Sequence, residues 1–225
     1  VLDEEAFVEP CRGLAARVME SILASTPGAS VPLEKTPGHV FHMPWIRTLL
    51  PESRFIHIVR DPRAVVSSIL RVGESWGETW APTDARRASR LWRRHVEAGL
   101  RAGDRMGEAY REIRYEDLCR DPVGHLEDLT RWLDLTQSEG DCIRAVKACS
   151  FATINTVGAE RANAGDVKVR PGSEPMSRTS RVGAWRNELS DRDAAVVEFE
   201  VSDLMAPLGY VADRKRPRRP PAPGR

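Results

Sequence analysis

Arg60 and Ser68 stand eight positions apart in RFIHIVRDPRAVVSS, residues 54–68. A guanidinium presents a planar fork of donors that suits a phosphate, and a nearby hydroxyl adds a further bond. The neighbours of these two residues say how they would be positioned. Phe55, Ile56, Ile58 and Val59 form the short apolar run of a strand buried on both faces of a parallel sheet. Asp61 then suits a helix N-cap, and Pro62 a first helical position that needs no N–H. Arg60 is thereby placed at the carboxyl edge of a sheet, where open α/β folds bind their ligands. Ser68, on the helix that follows, can point back to the same place.

The elements around this segment alternate. Leu14, Val18 and Ile22 recur at helical spacing and predict an amphipathic helix over residues 11–25, ended by Pro27 and Gly28. Val31–Glu34 reads as a short strand leading into Lys35, Thr36 and Pro37. A helix is expected over Val40–Leu50, with Phe41, Trp45 and Leu49 on one side and Pro51 as its stop. Asp84–Arg105 reads as a long helix with Leu91, Trp92, Val96 and Leu100 inward and its arginines mostly solvated. Tyr110–Tyr115 follows as a strand, and Pro122–Leu133 as another amphipathic helix. Strands alternating with helices predict βαβ units and a doubly wound parallel sheet.

The segment RDPRAVVSS resembles the 3′-phosphate-binding segment of PAPS-dependent sulfotransferases, in which an Arg and a Ser hold the 3′-phosphate of the sulfate donor. Other segments match the same family in order. EKTP at Glu34–Pro37 resembles its lysine segment, which gives Lys35 the role of neutralising charge on the departing phosphate oxygen. RYEDL, ending at Leu118, resembles a motif whose Tyr, here Tyr115, lies near the donor nucleotide; Glu116 and Asp117 are also suited to cap the following turn. CSF at Cys149–Phe151 resembles an adenine-pocket segment, with Ser150 and Phe151 matching. SRTSRVGAWRN, residues 177–187, resembles the late loop over the nucleotide, which ends in GxWxN. Arg178 falls at the loop arginine that contacts the 3′-phosphate, while Thr179 and Ser180 depart from the usual Lys-Gly. LGY at Leu208–Tyr210 resembles the family's closing motif.

The resemblance covers roughly residues 31–211. It implies an α/β fold with a P-loop-NTPase-like parallel sheet of five strands flanked by helices. It also implies sulfuryl transfer from PAPS to a hydroxyl or amine of a small-molecule, carbohydrate or peptide acceptor, without a metal. The general base of such a reaction is usually His or Glu. Pro37 occupies the position where cytosolic members carry His, so His39, His42 and Glu34 are the nearby candidates, with His39 preferred; the resemblance to carbohydrate and tyrosyl-protein members leaves Asp3, Glu4, Glu5 or an upstream segment as alternatives. The family's Gly-, Ser- and Thr-rich phosphosulfate loop has no counterpart in residues 1–30, so the sheet is expected to lack its first strand and that loop, as in an N-terminally incomplete chain.

Composition bounds these readings. The 225 residues are 41% hydrophobic and 30% charged with a formal net charge of +1, which suits one α/β domain over residues 1–212. Near-neutral charge gives no support to nonspecific nucleic-acid binding. No apolar run approaches the ~18 residues of a membrane span. Four cysteines without metal-type spacing suggest a reducing, cytoplasmic setting. Residues 213–225 read as a basic, Pro-rich disordered tail. Two other classes remain at this point: a non-catalytic binder of PAP or of a partner, and a P-loop kinase, which would need a GxxxxGK[ST] loop that this sequence does not contain.

Overall fold

Two features of the sequence, an aspartate cap before some helices and a proline in the first turn of several, carry over directly into the elements. The structure is a computed structural model that describes residues 3–74, 77–149 and 182–212. Asp3 accepts the N–H of Ala6 at 2.7 Å and opens helix α1, Glu4–Ala24. A 3₁₀ turn, Pro37–Phe41, leads into α2, Met43–Leu49. Strand β1 is Phe55–Val59, and Asp61 caps α3, Pro62–Gly73, by accepting the N–H of Arg63 at 2.9 Å. Helix α4 spans Ala85–Met106, β2 is Tyr110–Arg114, and α5 is Tyr115–Arg120. Then come α6, Pro122–Trp132, and α7, Glu139–Ala148, whose Ser138 and Asp141 form a reciprocal capping box. Three C-terminal helices complete the described residues: α8, Trp185–Glu188, α9, Asp191–Glu200, and α10, Ser202–Met205.

The two strands pair in a small parallel sheet, and α3 and α4 form the crossover that a parallel pair requires. The architecture is α/β, as expected. Three expectations about its parts are corrected. Val31–Glu34 is not a strand. Pro32 has no N–H to give a ladder, and Leu33 is 87% exposed. Strand β1 is not buried on both faces, since Ile58 is 51% exposed while Val59 is fully enclosed. The apolar stripes of α1 and α2 are not the faces that pack. Leu14, Val18 and Ile22 are exposed, and Val8 is buried instead. Arg12 fixes that orientation by donating from Nε and a terminal nitrogen to the carbonyl of Thr48, at 3.3 and 3.2 Å. Phe41, at the end of the 3₁₀ turn, and Trp45, on α2, stay exposed, and Met43 is buried.

The chain divides into two compact units. The first holds the described residues up to His57 together with Arg94–Glu112. Inside it, the ring of His57 lies against Gly99, where any β-carbon would overlap the imidazole. The Tyr110 hydroxyl and His57 Nδ1 share a 2.6 Å hydrogen bond. Burial, and then the neighbouring charge of His95, push His57 down to about 4.

The second unit holds Ile58–Arg93 and the described residues from Ile113 onward. Its core gathers Val59, Val66, Trp92, Trp185, Val197, Val201 and Leu208. Not all of the α4 arginines are merely solvated. Arg86 and Arg90 both meet the carboxylate of Glu200 at the end of α9, and Arg93 bonds Asp203. With one exposed partner in each, such pairs orient the C-terminal helices more than they stabilise them.

Candidate active site

The strand ends build the site in the second unit. β1 stops because Asp61 turns the chain and Pro62 cannot continue a ladder, so Arg60 is left at the carboxyl end of the strand. β2 stops at Arg114, and Tyr115 opens α5. Parallel pairing puts these two ends side by side, and the Arg60 guanidinium lies 4.6 Å from the centre of the Tyr115 ring. The main chain at Arg60 is held from the other direction, where indole Nε1 of Trp92 donates to its carbonyl at 3.0 Å. Ser68 is half-buried on α3, eight residues along. Its neighbour Ser67 is buried and donates to Glu188 at 3.0 Å, an acceptor that also pairs with Arg71 at 2.7 Å.

Three residues that organise these strand ends were not visible as such in the sequence. Arg63 is 3% exposed. It grips Asp61 through two donors at 3.0 and 2.8 Å, reaches Glu198 at 2.7 Å and the carbonyl of Val211 at 3.0 Å, and lies 4.1 Å above the Trp185 ring. Burial alone would lower its guanidinium, and the bonds and charges of Asp61 and Glu198 more than offset this. A cation in the first turn of a helix opposes the macrodipole. That misfit is the one sequence signal that Arg63 needs carboxylates of its own.

The second is Glu116. It does not cap the turn after β2. It accepts the N–H of Asp61 at 2.9 Å with one oxygen and the hydroxyl of Tyr210 at 2.8 Å with the other. The third is Tyr210, whose hydroxyl also reaches the carbonyl of Val59 at 3.3 Å. Burial, followed by the Glu116 carboxylate, raises this phenol well above its ordinary value and keeps it a neutral donor. The GAWRN segment supplies the floor: Gly183 adopts φ 80°, and Trp185, 1% exposed, sits with Arg63 on its ring.

Lys35 and His39 belong to the first unit. Both are exposed. His39 lies on the 3₁₀ turn, where its Nδ1 meets Glu34 Oε2 at 2.6 Å, and Thr36 donates to Glu34 Oε1, also at 2.6 Å. The Thr36 bond first, against the cost of desolvation, and then the charge of His39 hold the Glu34 carboxyl below its usual range. Ser150, Phe151 and Arg178 lie outside the described residues.

The comparisons with known proteins agree with this architecture. Residues 3–139 match the model of the sulfotransferase family, and the chain belongs to that family. It is 28% identical over 190 residues to carbohydrate sulfotransferase 5 of Mus musculus, covering 69% of this chain and 47% of that protein. It is 32% identical over 115 residues to omega-hydroxy-beta-dihydromenaquinone-9 sulfotransferase Stf3 of Mycobacterium bovis, covering 47% of this chain and 29% of that one. The chain thus spans half or less of the length of these relatives. Among solved structures, retinol dehydratase in complex with retinol and PAP superposes with a TM-score of 0.55 at 17% identity, over 70% of this chain and 50% of that one. Retinol dehydratase with androsterone and inactive cofactor PAP gives a TM-score of 0.54 at 18% identity, over 81% and 55%. These structural likenesses establish the sulfotransferase-type fold.

Proposed function

We propose that this chain carries out the donor half of a sulfuryl transfer from PAPS to a hydroxyl or amine, with PAP as the product. The observation that carries this reading is the stacking of Arg60 on Tyr115 at the carboxyl ends of paired strands, in a chain of the sulfotransferase family. A cation beside an aromatic face, next to a capped helix, suits a ligand that is both a purine and a phosphate. Arg60, Ser68 and Arg178 are assigned to the 3′-phosphate, and Tyr115, Ser150 and Phe151 to the nucleoside.

The acceptor oxygen attacks sulfur while its proton passes to Nε2 of His39. The bond between sulfur and the 5′-phosphate oxygen breaks, and that oxygen keeps the electron pair as PAP departs. Lys35 neutralises the charge growing there. Positioning and electrostatics supply the acceleration, as in phosphoryl transfer, so the scheme calls for no metal. The relatives and neighbours are named for a carbohydrate, a dihydromenaquinone and retinol, and one neighbour is in complex with androsterone. Their variety supports a small-molecule or carbohydrate hydroxyl as the acceptor here. All four cysteines are free thiols, in keeping with a reducing, cytoplasmic setting.

The test is transfer of labelled sulfate from PAPS to a panel of hydroxyl and amine acceptors, with PAP affinity measured in parallel. Transfer together with tight PAP binding supports the reading. Tight PAP binding without transfer to any acceptor moves the chain to the non-catalytic class, and PAP bound no better than adenosine monophosphate overturns the donor site.

A further inference from the structure

The loop that carries Lys35 also carries a closed set of polar contacts. Both oxygens of Glu34 are engaged, one by the Thr36 hydroxyl and one by Nδ1 of His39, each at 2.6 Å. The backbone holds the pair in register, because His39 N–H donates to the Thr36 carbonyl at 3.0 Å and the 3₁₀ turn begins at Pro37. A carboxylate can only accept here, so the nitrogen facing it carries the proton. The other ring nitrogen, Nε2, is then the basic one.

We propose that Glu34 is the positioning residue of the reaction: through Nδ1 it fixes the tautomer and orientation of His39, with Thr36 holding the carboxylate in place. This rests on His39 being the base. The logic is that of any imidazole backed by a carboxylate, which sets which nitrogen accepts the proton and steadies the imidazolium that results. As the acceptor loses its proton to Nε2, the cation forms 2.6 Å from a carboxylate that already makes its second bond to Thr36. Lys35 lies between Glu34 and Thr36 in sequence, so one short loop supplies the base, its orienting partner and the cation for the leaving oxygen.

Two measurements separate this from the assignment on which it rests. Ring-nitrogen chemical shifts of His39 in this chain, at a pH where the ring is neutral, report the tautomer directly. The expected result is a proton on Nδ1 in the parent, moving mainly to Nε2 in Glu34→Ala, with Thr36→Val in between. A proton on Nε2 in the parent, or no change in Glu34→Ala, overturns the proposal. In turnover, His39→Gln should abolish transfer while leaving PAP affinity unchanged; full activity in that variant means that the choice of base is wrong. Glu34→Ala should lower kcat about 10- to 100-fold with KM unchanged. An inactive His39→Gln beside a fully active Glu34→Ala leaves His39 in place as the base and removes Glu34 from the mechanism.

Discussion

Glu116 accepts the main-chain N–H of Asp61 at 2.9 Å. The residue after Tyr115 is therefore bonded to the residue after Arg60, and the two strand ends are joined one position beyond the stacked pair. The other oxygen of Glu116 takes the Tyr210 hydroxyl, so the C-terminal LGY segment closes the same junction. Glu116→Ala should leave the Asp61 N–H without this acceptor and the Tyr210 hydroxyl with only the longer bond to the Val59 carbonyl, and cost about 1–3 kcal/mol. Urea unfolding checks this, and an unchanged midpoint would show that the junction is held by packing alone.

The 3′-phosphate assignment has a built-in control. Arg60→Ala should weaken PAP binding by about 2–5 kcal/mol, the range for truncating one partner of a buried charge pair. Ser68→Ala should cost about 1 kcal/mol. Repeating the titration with adenosine monophosphate, which has no 3′-phosphate, should erase both differences. Equal losses on both ligands would mean that these residues support the fold rather than read that phosphate.

Arg63 carries a larger structural burden than either. Arg63→Met keeps much of the volume but takes from Asp61 and Glu198 the cation that both contact. Breaking a buried pair from one side should lower stability by about 3–5 kcal/mol. The double variant Arg63→Met with Asp61→Asn should recover part of this, since one stranded charge is then gone. Thermal melts of the three proteins decide it.

His57 gives the chain an acid limit. Its folded value of about 4 lies below the 6.5 of an unfolded imidazole, so the unfolded state takes up the proton first. This contribution is fully present above pH 6.5, is lost progressively as the pH falls through that window, and is gone below 4. It amounts to at most about 3 kcal/mol. Urea midpoints between pH 7 and pH 5 should fall in the parent, and the slope should flatten in His57→Gln.

Gly183 and Gly99 are sensitive for different reasons. At φ 80°, Gly183→Ala forces a β-carbon into left-handed backbone and should cost about 1–2 kcal/mol. Gly99→Ala meets the His57 ring and should cost about 1–3 kcal/mol through overpacking. Stability measurements on both, with Gly99→Ala repeated in a His57→Ala background, should show rescue at position 99 alone.

The parts legible in the sequence are those written in adjacent residues. The strand, cap and proline of VRDP gave β1, its end at Arg60 and the start of α3, and RYEDL gave β2 and Tyr115 in the same way. Both signals span a few positions and need no tertiary help. The failures were tertiary. Pro32 argues against a central strand at Val31–Glu34 but does not by itself show that no ladder receives it, and the stripe of Leu14, Val18 and Ile22 predicts a helix without saying which side packs. Arg63, Glu116 and Tyr210 reach their distant partners across 55 to 151 residues of chain, distances over which spacing carries no message.

Synthesis from the N-terminus gives that long reach a temporal consequence. Asp61 and Arg63 leave the ribosome long before Glu198, Tyr210 and Val211 do. Until they emerge, the guanidinium of Arg63 has only Asp61 and, later, the Trp185 ring for partners, and the carbonyl of Val59 waits for its phenol. At roughly 5–20 residues per second the interval lasts on the order of ten seconds. The nascent chain must spend it with the junction of its two strand ends open, a natural moment for a chaperone to hold it.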